Sequence, residues 1–371
     1  MRGHVRKRGT KWVVVVDVGR DESGKRLRKW HSGFERRKDA ERALTEILGR
    51  LEAGAYVEPA ALTLGGFLAD EWLPAMRASL RPLTLESYSM IVRTRIAPEI
   101  GQVRLQRLTP GALNALYATL GERLSPRSVR YTHAVLRHAL VDAVRWQRLA
   151  RNVADAAEPP SAKAAKAQAM QTWSAEQLAA FLEHVGDDRL YAAWRLAAMT
   201  GLRRGEVLGL RWRDLDLEAG RLAVVQTLVG ERTFSQPKTD HGRRNVALDP
   251  VTVTALRTHR KRQAAERLAL GPAYRDEQEL VFCREDGEPL WPQSFSRSFE
   301  RHAKAAGLPA IRAHDLRHTH ATLALAAGIH PKVVSERLGH ASVGITLDIY
   351  SHATPAMQAD AANRVAALLE P

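Results

Sequence analysis

His314-Asp315-Leu316-Arg317-His318 is the stretch of this 371-residue chain from which its architecture is best read outward. His314 and Arg317 stand three residues apart, so a helix would present both on one face. Downstream, Leu338-Gly339-His340 places a glycine where a helix would end in the left-handed conformation. Ser342 then stands where it can cap a short helix bearing Tyr350. Upstream, Thr200-Gly201-Leu202-Arg203-Arg204-Gly205-Glu206 reads as a small-residue turn that ends one helix and puts an arginine at the start of the next. Between them, Ser235-Gln236-Pro237-Lys238-Thr239 separates two β-like runs, Leu222 to Leu228 and Asn245 to Leu248. The spacing predicts a hairpin carrying Lys238.

Working back toward the first residue, Ser174 with Gln177 three positions on forms a capping box that opens this mainly helical domain, over 173–371. The stretch 156–172 turns to Pro159-Pro160 and then to alanines with Lys163 and Lys166, without a hydrophobic period, and reads as a linker. A helical domain over 63–155 precedes it. Its helix starts are legible at Thr109-Pro110 and Ser125-Pro126, each a cap followed by proline in the first turn. In the last of these helices Val129, Leu136, Leu140 and Val144 recur at helical spacing, while Arg127, Arg130 and Arg137 fall on other faces and are candidates for phosphate contact. Residues 1–58 read as a small sheet, from Lys11 to Gly19 and from Arg26 to Phe34 about a turn, followed by a helix from about Lys38 to Ala53. The expected fold is therefore multidomain and mainly α, with small β elements.

Charge points to the partner. The chain holds 56 Lys and Arg against 41 Asp and Glu, a formal charge of +15, and residues 1–58 alone carry +6. A polyanion is favoured, with nucleic acid foremost. The single cysteine, Cys283, excludes an intramolecular disulfide and any zinc site with two thiolates, and fits a reducing cytosol. The apolar run Val13 to Val16 is too short for a signal h-region or a membrane span. A soluble cytoplasmic protein, with no membrane partner, is expected.

Two arginines, a lysine, two histidines and a late tyrosine together suit one task, moving a phosphoryl centre between oxygen atoms. A phosphodiester gathers charge on its non-bridging oxygens under attack, and the planar forks of Arg203 and Arg317 match that geometry. Tyr350 needs a base and cationic surroundings to act as a nucleophile, and His314 is the candidate base. Lys238 is the candidate acid for the departing sugar oxygen, and His340 a donor to the phosphate. Neither a Walker A motif nor a carboxylate cluster for two metals is seen, so chemistry without cofactor or metal is expected.

At these residues the chain resembles the tyrosine recombinases of the phage-integrase family. The likeness runs from about Thr172 to Ala353 and rests on T-G-L-R-R-G-E at Arg203, P-K-T at Lys238, H-D-L-R-H, L-G-H and the late D-I-Y-S-H. It implies an active site of Arg203, Lys238, His314, Arg317 and His340, with Tyr350 as nucleophile and Glu206 and His318 in support. It also implies a core-site-binding domain over 63–155, a 3'-phosphotyrosyl intermediate, double-stranded DNA attachment sites as partners and a homo-tetramer at the synapse. An accessory DNA-bending or directionality factor is a further partner of the kind such enzymes use. The N-terminal sheet resembles an arm-site-binding module. The family pattern chooses Arg203 over Arg204. One departure is Gly242, where many relatives carry serine; Arg244 follows at a familiar place and is a further candidate DNA contact. A non-catalytic DNA-binding protein of the same fold and a relaxing topoisomerase are the alternatives.

Overall fold

The computed structural model describes residues 3–20, 24–52, 57, 60–166, 170–236, 243–340, 342–350, 363 and 366. It divides into two compact units, Met1–Gln168 and Ala169–Pro371. Most of the described chain is helical, with small antiparallel sheets.

In the first unit, β1 (Gly3–Arg8), β2 (Lys11–Arg20) and β3 (Arg26–Phe34) form a sheet in that order, and the helix Arg37–Glu52 packs on one face. The β-branched run in β2 explains this layer. Val14 and Val16 bury against Ala40, with Leu44, Ile47 and Leu48 beside them. On β3 the exposed Trp30 lies under the Arg6 guanidinium, 4.1 Å from the ring centroid.

In the helical part that follows, three helix starts carry a side-chain cap, as polar residues before an apolar stripe should. Thr63 accepts from the Gly66 N–H at 3.1 Å, Thr109 from Ala112 at 3.2 Å and Ser125 from Ser128 at 3.3 Å. Within Pro126–Arg145, Val129, Leu136 and Leu140 are buried, and Val144 packs partly buried against the same core. Trp72 is fully buried and donates its indole N–H to the buried Asp142 at 2.8 Å. Residues 162–165 form a turn, in which Ala165 N–H donates to Ser161 O at 3.0 Å.

The second unit opens with the expected capping box: Gln177 N–H donates to Ser174 Oγ at 3.2 Å and Ser174 N–H to Gln177 Oε1 at 3.0 Å. Its core is aromatic, built from Trp173, Phe181, Trp194, Phe295 and Phe299, with Trp194 stacked on Phe295 at 4.1 Å. One sheet has the order β4 (Leu215–Asp216), β5 (Arg221–Val224), β8 (Arg244–Ala247), and a second pairs β6 (Thr227–Leu228) with β7 (Phe234–Ser235). The expected single run from Leu222 to Leu228 is thus two strands. Gln226 leaves the ladder to donate its side-chain amide to Gly209 O at 2.9 Å. Helices Pro250–Leu270, Pro292–Ala305, Asp315–Ala326, Pro331–Leu338 and Val343–Tyr350 complete the unit.

Replacing Trp194 with Ala should cost about 3–5 kcal/mol, the scale of deleting a large core aromatic. Denaturant unfolding of the full chain measures it; a loss under about 1 kcal/mol would mean that the aromatic stack does not hold this unit together.

Candidate functional site

The site is assembled from the ends of helices. Tyr191–Thr200 terminates at Gly201, whose φ of 64° is open to glycine at little cost, and Arg203 then caps Arg204–Leu208. Arg203 and Arg204 diverge there. Arg204 Nη1 donates to Ser296 Oγ at 2.7 Å, while Arg203 Nη1 reaches Glu206 Oε1 at 2.8 Å and its Nη2 reaches Gly339 O at 3.3 Å. The structure therefore separates two neighbours that physics alone leaves equivalent in the sequence.

Glu206 organises this corner. Its carboxylate is 5% exposed and receives the Arg203 N–H at 2.9 Å and Arg244 Nη2 at 2.9 Å. Burial pushes its pKa up, but the hydrogen bond and charge of Arg244, with those of Arg203, outweigh it and hold the carboxyl below its ordinary value. Arg203 stays 41% exposed, so part of its fork remains open to solvent.

Arg317 is 3% exposed and donates Nη1 to Gly201 O at 2.8 Å, locking Asp315–Ala326 to the turn that presents Arg203. His314 is the N-cap of this helix with right-handed helical dihedrals, φ −69° and ψ −25°, and its carbonyl accepts the Arg317 N–H at 3.2 Å, so the two residues keep the spacing of one helical turn. Asp315 accepts the Arg312 N–H at 2.8 Å and its guanidinium at 2.8 and 3.0 Å. His314 keeps an exposed surface and meets His318 edge to face at 5.4 Å. Burial, then the positive charge of Arg317, lowers its pKa.

Pro331–Leu338 ends at Gly339 with φ 67°, as its position before a polar turn predicts, and His340 follows. His340 Nδ1 pairs with Thr346 Oγ1 at 2.8 Å. Burial, then Arg317, Arg203 and His318, lowers the His340 pKa to about 4. His318 also falls to about 4, through burial and then the nearby His314. Both rings are neutral at pH 7.

The remaining candidates are placed as follows. Arg244, a candidate DNA contact, has a side chain only 7% exposed and gives Nε to Arg337 O at 2.7 Å besides holding Glu206. Tyr350 closes Val343–Tyr350 by its backbone; its side chain, Lys238 and Gly242 lie outside the described residues. In the first unit Arg127, Arg130 and Arg137 are exposed on Pro126–Arg145, as are Lys163 and Lys166. Arg127 and Arg130 line an open cleft of about 730 Å³ with Arg95 and Tyr131. Arg137 pairs with Asp155 at 2.7 Å. Sequence reasoning missed Thr346 and Arg312, whose spacings of six from His340 and three from Asp315 were the available signals.

A model of the phage integrase family matches residues 169–357. A tyrosine recombinase XerC-like protein of Caldanaerobacter subterraneus is 30% identical over 367 residues, 94% of each chain. The chain belongs to the phage integrase family. It is accordingly a tyrosine-type recombinase acting on DNA. Two further models match this integrase, an arm DNA-binding domain at residues 4–51 and an N-terminal SAM-like domain of phage integrases at residues 66–120. An integrase of Streptomyces ambofaciens is 27% identical over 356 residues, 94% of this chain and 90% of that one. Among solved structures, the Tn1549 transposon integrase in complex with circular intermediate DNA gives a TM-score of 0.68 at 20% identity, over 82% of this chain and 99% of that one. A lambda integrase tetramer bound to a Holliday junction gives 0.60 at 18% identity, over 93% and 94%. These likenesses show the integrase fold. No described helix is long and apolar enough to cross a membrane.

Glu206→Ala should destabilise the integrase by about 3 kcal/mol or more, since Arg244 would be left buried without its carboxylate. The depressed carboxyl contributes stability that is fully present above its unfolded value of 4.5 and is lost as pH falls through the lower folded value. The stability gap between wild type and Glu206→Gln should therefore shrink in that acid window. Unfolding titrations across pH measure the gap, and one constant down to acid would contradict this balance of charges.

Proposed function

We propose that this integrase recombines attachment sites in double-stranded DNA through a covalent 3'-phosphotyrosyl intermediate, with Tyr350 as nucleophile and without ATP or metal. The observation that carries the proposal is electrostatic. Arg203 and Arg317 stand close enough to His340 to lower its pKa, and both helix ends that launch these residues are tied together. A corner that holds guanidinium groups and neutral imidazoles is suited to an anion that spreads charge over several oxygens.

In this mechanism Arg203 and Arg317 bind the non-bridging oxygens. His314, with its lowered pKa, accepts the Tyr350 proton as the phenol oxygen attacks phosphorus. The bond from phosphorus to the 5' oxygen breaks, and Lys238 supplies the proton that this oxygen needs. His340 donates to the phosphate, Glu206 orients Arg203, and His318 supports His314 from behind. A 5' hydroxyl of the partner strand then attacks the phosphotyrosyl bond, which conserves the energy of the phosphodiester, and the roles reverse.

The exposed Arg127, Arg130, Arg137, Lys163 and Lys166 follow the DNA backbone around the core site, and residues 1–58 hold a second site. The domains act as 1–58, 63–155 and 173–371 joined by 156–172. Likeness to the lambda integrase tetramer on a Holliday junction supports a tetramer on DNA, with an accessory DNA-bending or directionality factor as a further partner.

Tyr350→Phe should abolish the denaturant-resistant protein–DNA adduct and leave DNA affinity within about threefold of wild type, because the hydroxyl acts in chemistry more than in binding. Adduct formation by the variant in a gel assay would refute the nucleophile. Lys238→Ala should slow cleavage of an ordinary strand by about a hundredfold or more, but far less for a strand whose leaving oxygen is sulfur, since a thiolate departs without a proton. Equal slowing of both strands would make Lys238 a phosphate ligand.

A further inference from the structure

Two helices meet end to end behind the site. Tyr191–Thr200 stops at Gly201 and Pro331–Leu338 at Gly339, both glycines left-handed. The contact is tight, because a Cβ on Gly201 would lie 2.5 Å from Leu338 Cδ2 and 2.9 Å from His320 Cδ2. The first helix end delivers Arg203 two residues on, and the second delivers His340 at the next.

Helix C-termini leave carbonyls without intrahelical donors and favour positive charge. Arg337 answers both needs for its neighbour, donating Nη2 to Met199 O at 3.0 Å. Its own carbonyl accepts Arg244 Nε at 2.7 Å. Arg244 in turn holds Glu206 at 2.9 Å, and Glu206 receives the Arg203 N–H at 2.9 Å. Arg203 Nη2 closes the circuit on Gly339 O at 3.3 Å. His320 adds a parallel tie, with Nδ1 at 3.0 Å from Ala198 O.

We propose that Arg337 is a positioning residue for strand cleavage: it clasps the two helix ends so that Arg203 and His340 keep a fixed separation across the scissile phosphate. It acts through those residues and touches no substrate. The inference rests on the reading of Arg203 and His340 as phosphate-binding groups. A small change in that separation matters because both must meet oxygens of one phosphorus centre.

The test is single-turnover cleavage by the full chain on a nicked duplex that traps the covalent adduct. Reaction amplitude reports the fraction of folded protein, whereas the rate constant reports the geometry of the molecules that react. Arg337→Met should lower the rate constant by about ten- to a hundredfold, the scale of a misplaced catalytic group, with DNA affinity within about threefold of wild type. Arg337→Lys should fall between Met and wild type, since a point charge does not reproduce the guanidinium fork; it also serves if the Met variant does not fold. A wild-type rate constant in Arg337→Lys, or a loss of amplitude alone in Arg337→Met, would overturn the proposal. Arg203→Ala, measured alongside, separates the two failures. If it is slow while Arg337→Lys is normal, only the clasp is wrong; if it too cleaves at the wild-type rate, the phosphate-binding reading falls and takes the clasp with it.

Discussion

The buried carboxylate of Glu206 is the constraint around which the second unit is arranged. A charge removed from water is tolerated only when opposite charges and hydrogen bonds replace its hydration. Arg203 and Arg244 supply them from a helix start and from strand β8, 38 residues apart in sequence on the Arg244 side. Satisfying Glu206 therefore fixes where the helix begins, where the strand lies and where the Arg203 fork points. Arg244 is spent in this task, which explains why a residue that reads as a surface cation sits at 7% exposure.

The second organising feature is the placement of the candidate residues Arg203, His314, Arg317 and His340 at helix termini. Gly201 and Gly339 allow sharp exits, and the carbonyls they leave are taken by Arg317, Arg203 and Arg337. Arg203 and Arg317 thus both belong to the candidate site and satisfy these helix ends. The aromatic layer of Trp173, Trp194, Phe295 and Phe299 backs this arrangement with a dense core. Burial, reinforced by the charges around them, keeps His318 and His340 neutral at pH 7, so they add no charge of their own to the corner.

Local signals carried much of the fold. The caps at Thr109, Ser125 and Ser174, the helix-ending glycines and the valine-rich strand of the N-terminal sheet are decided by residues within a few positions of one another, and they stand as the sequence implies. What escaped depends on partners far along the chain. The burial of Arg244 needs Glu206 and Arg337, the divergence of Arg203 from Arg204 needs Gly339 and Ser296, and the break between β5 and β6 needs Gly209. The Arg312–Asp315 pairing at the start of the helix Asp315–Ala326 is local, but the motif reading passed over it. Motif likeness named the candidate site residues without resolving which of them hold the others in place.

Chemistry at Tyr350 is most directly tested by trapping the integrase on a nicked attachment-site duplex, trimming the DNA with nuclease and sequencing the modified peptide by mass spectrometry. The account predicts a nucleotide joined through its 3' phosphate to the Tyr350 oxygen. Attachment to any other side chain, or strand cleavage with no protein-linked nucleotide, would contradict it.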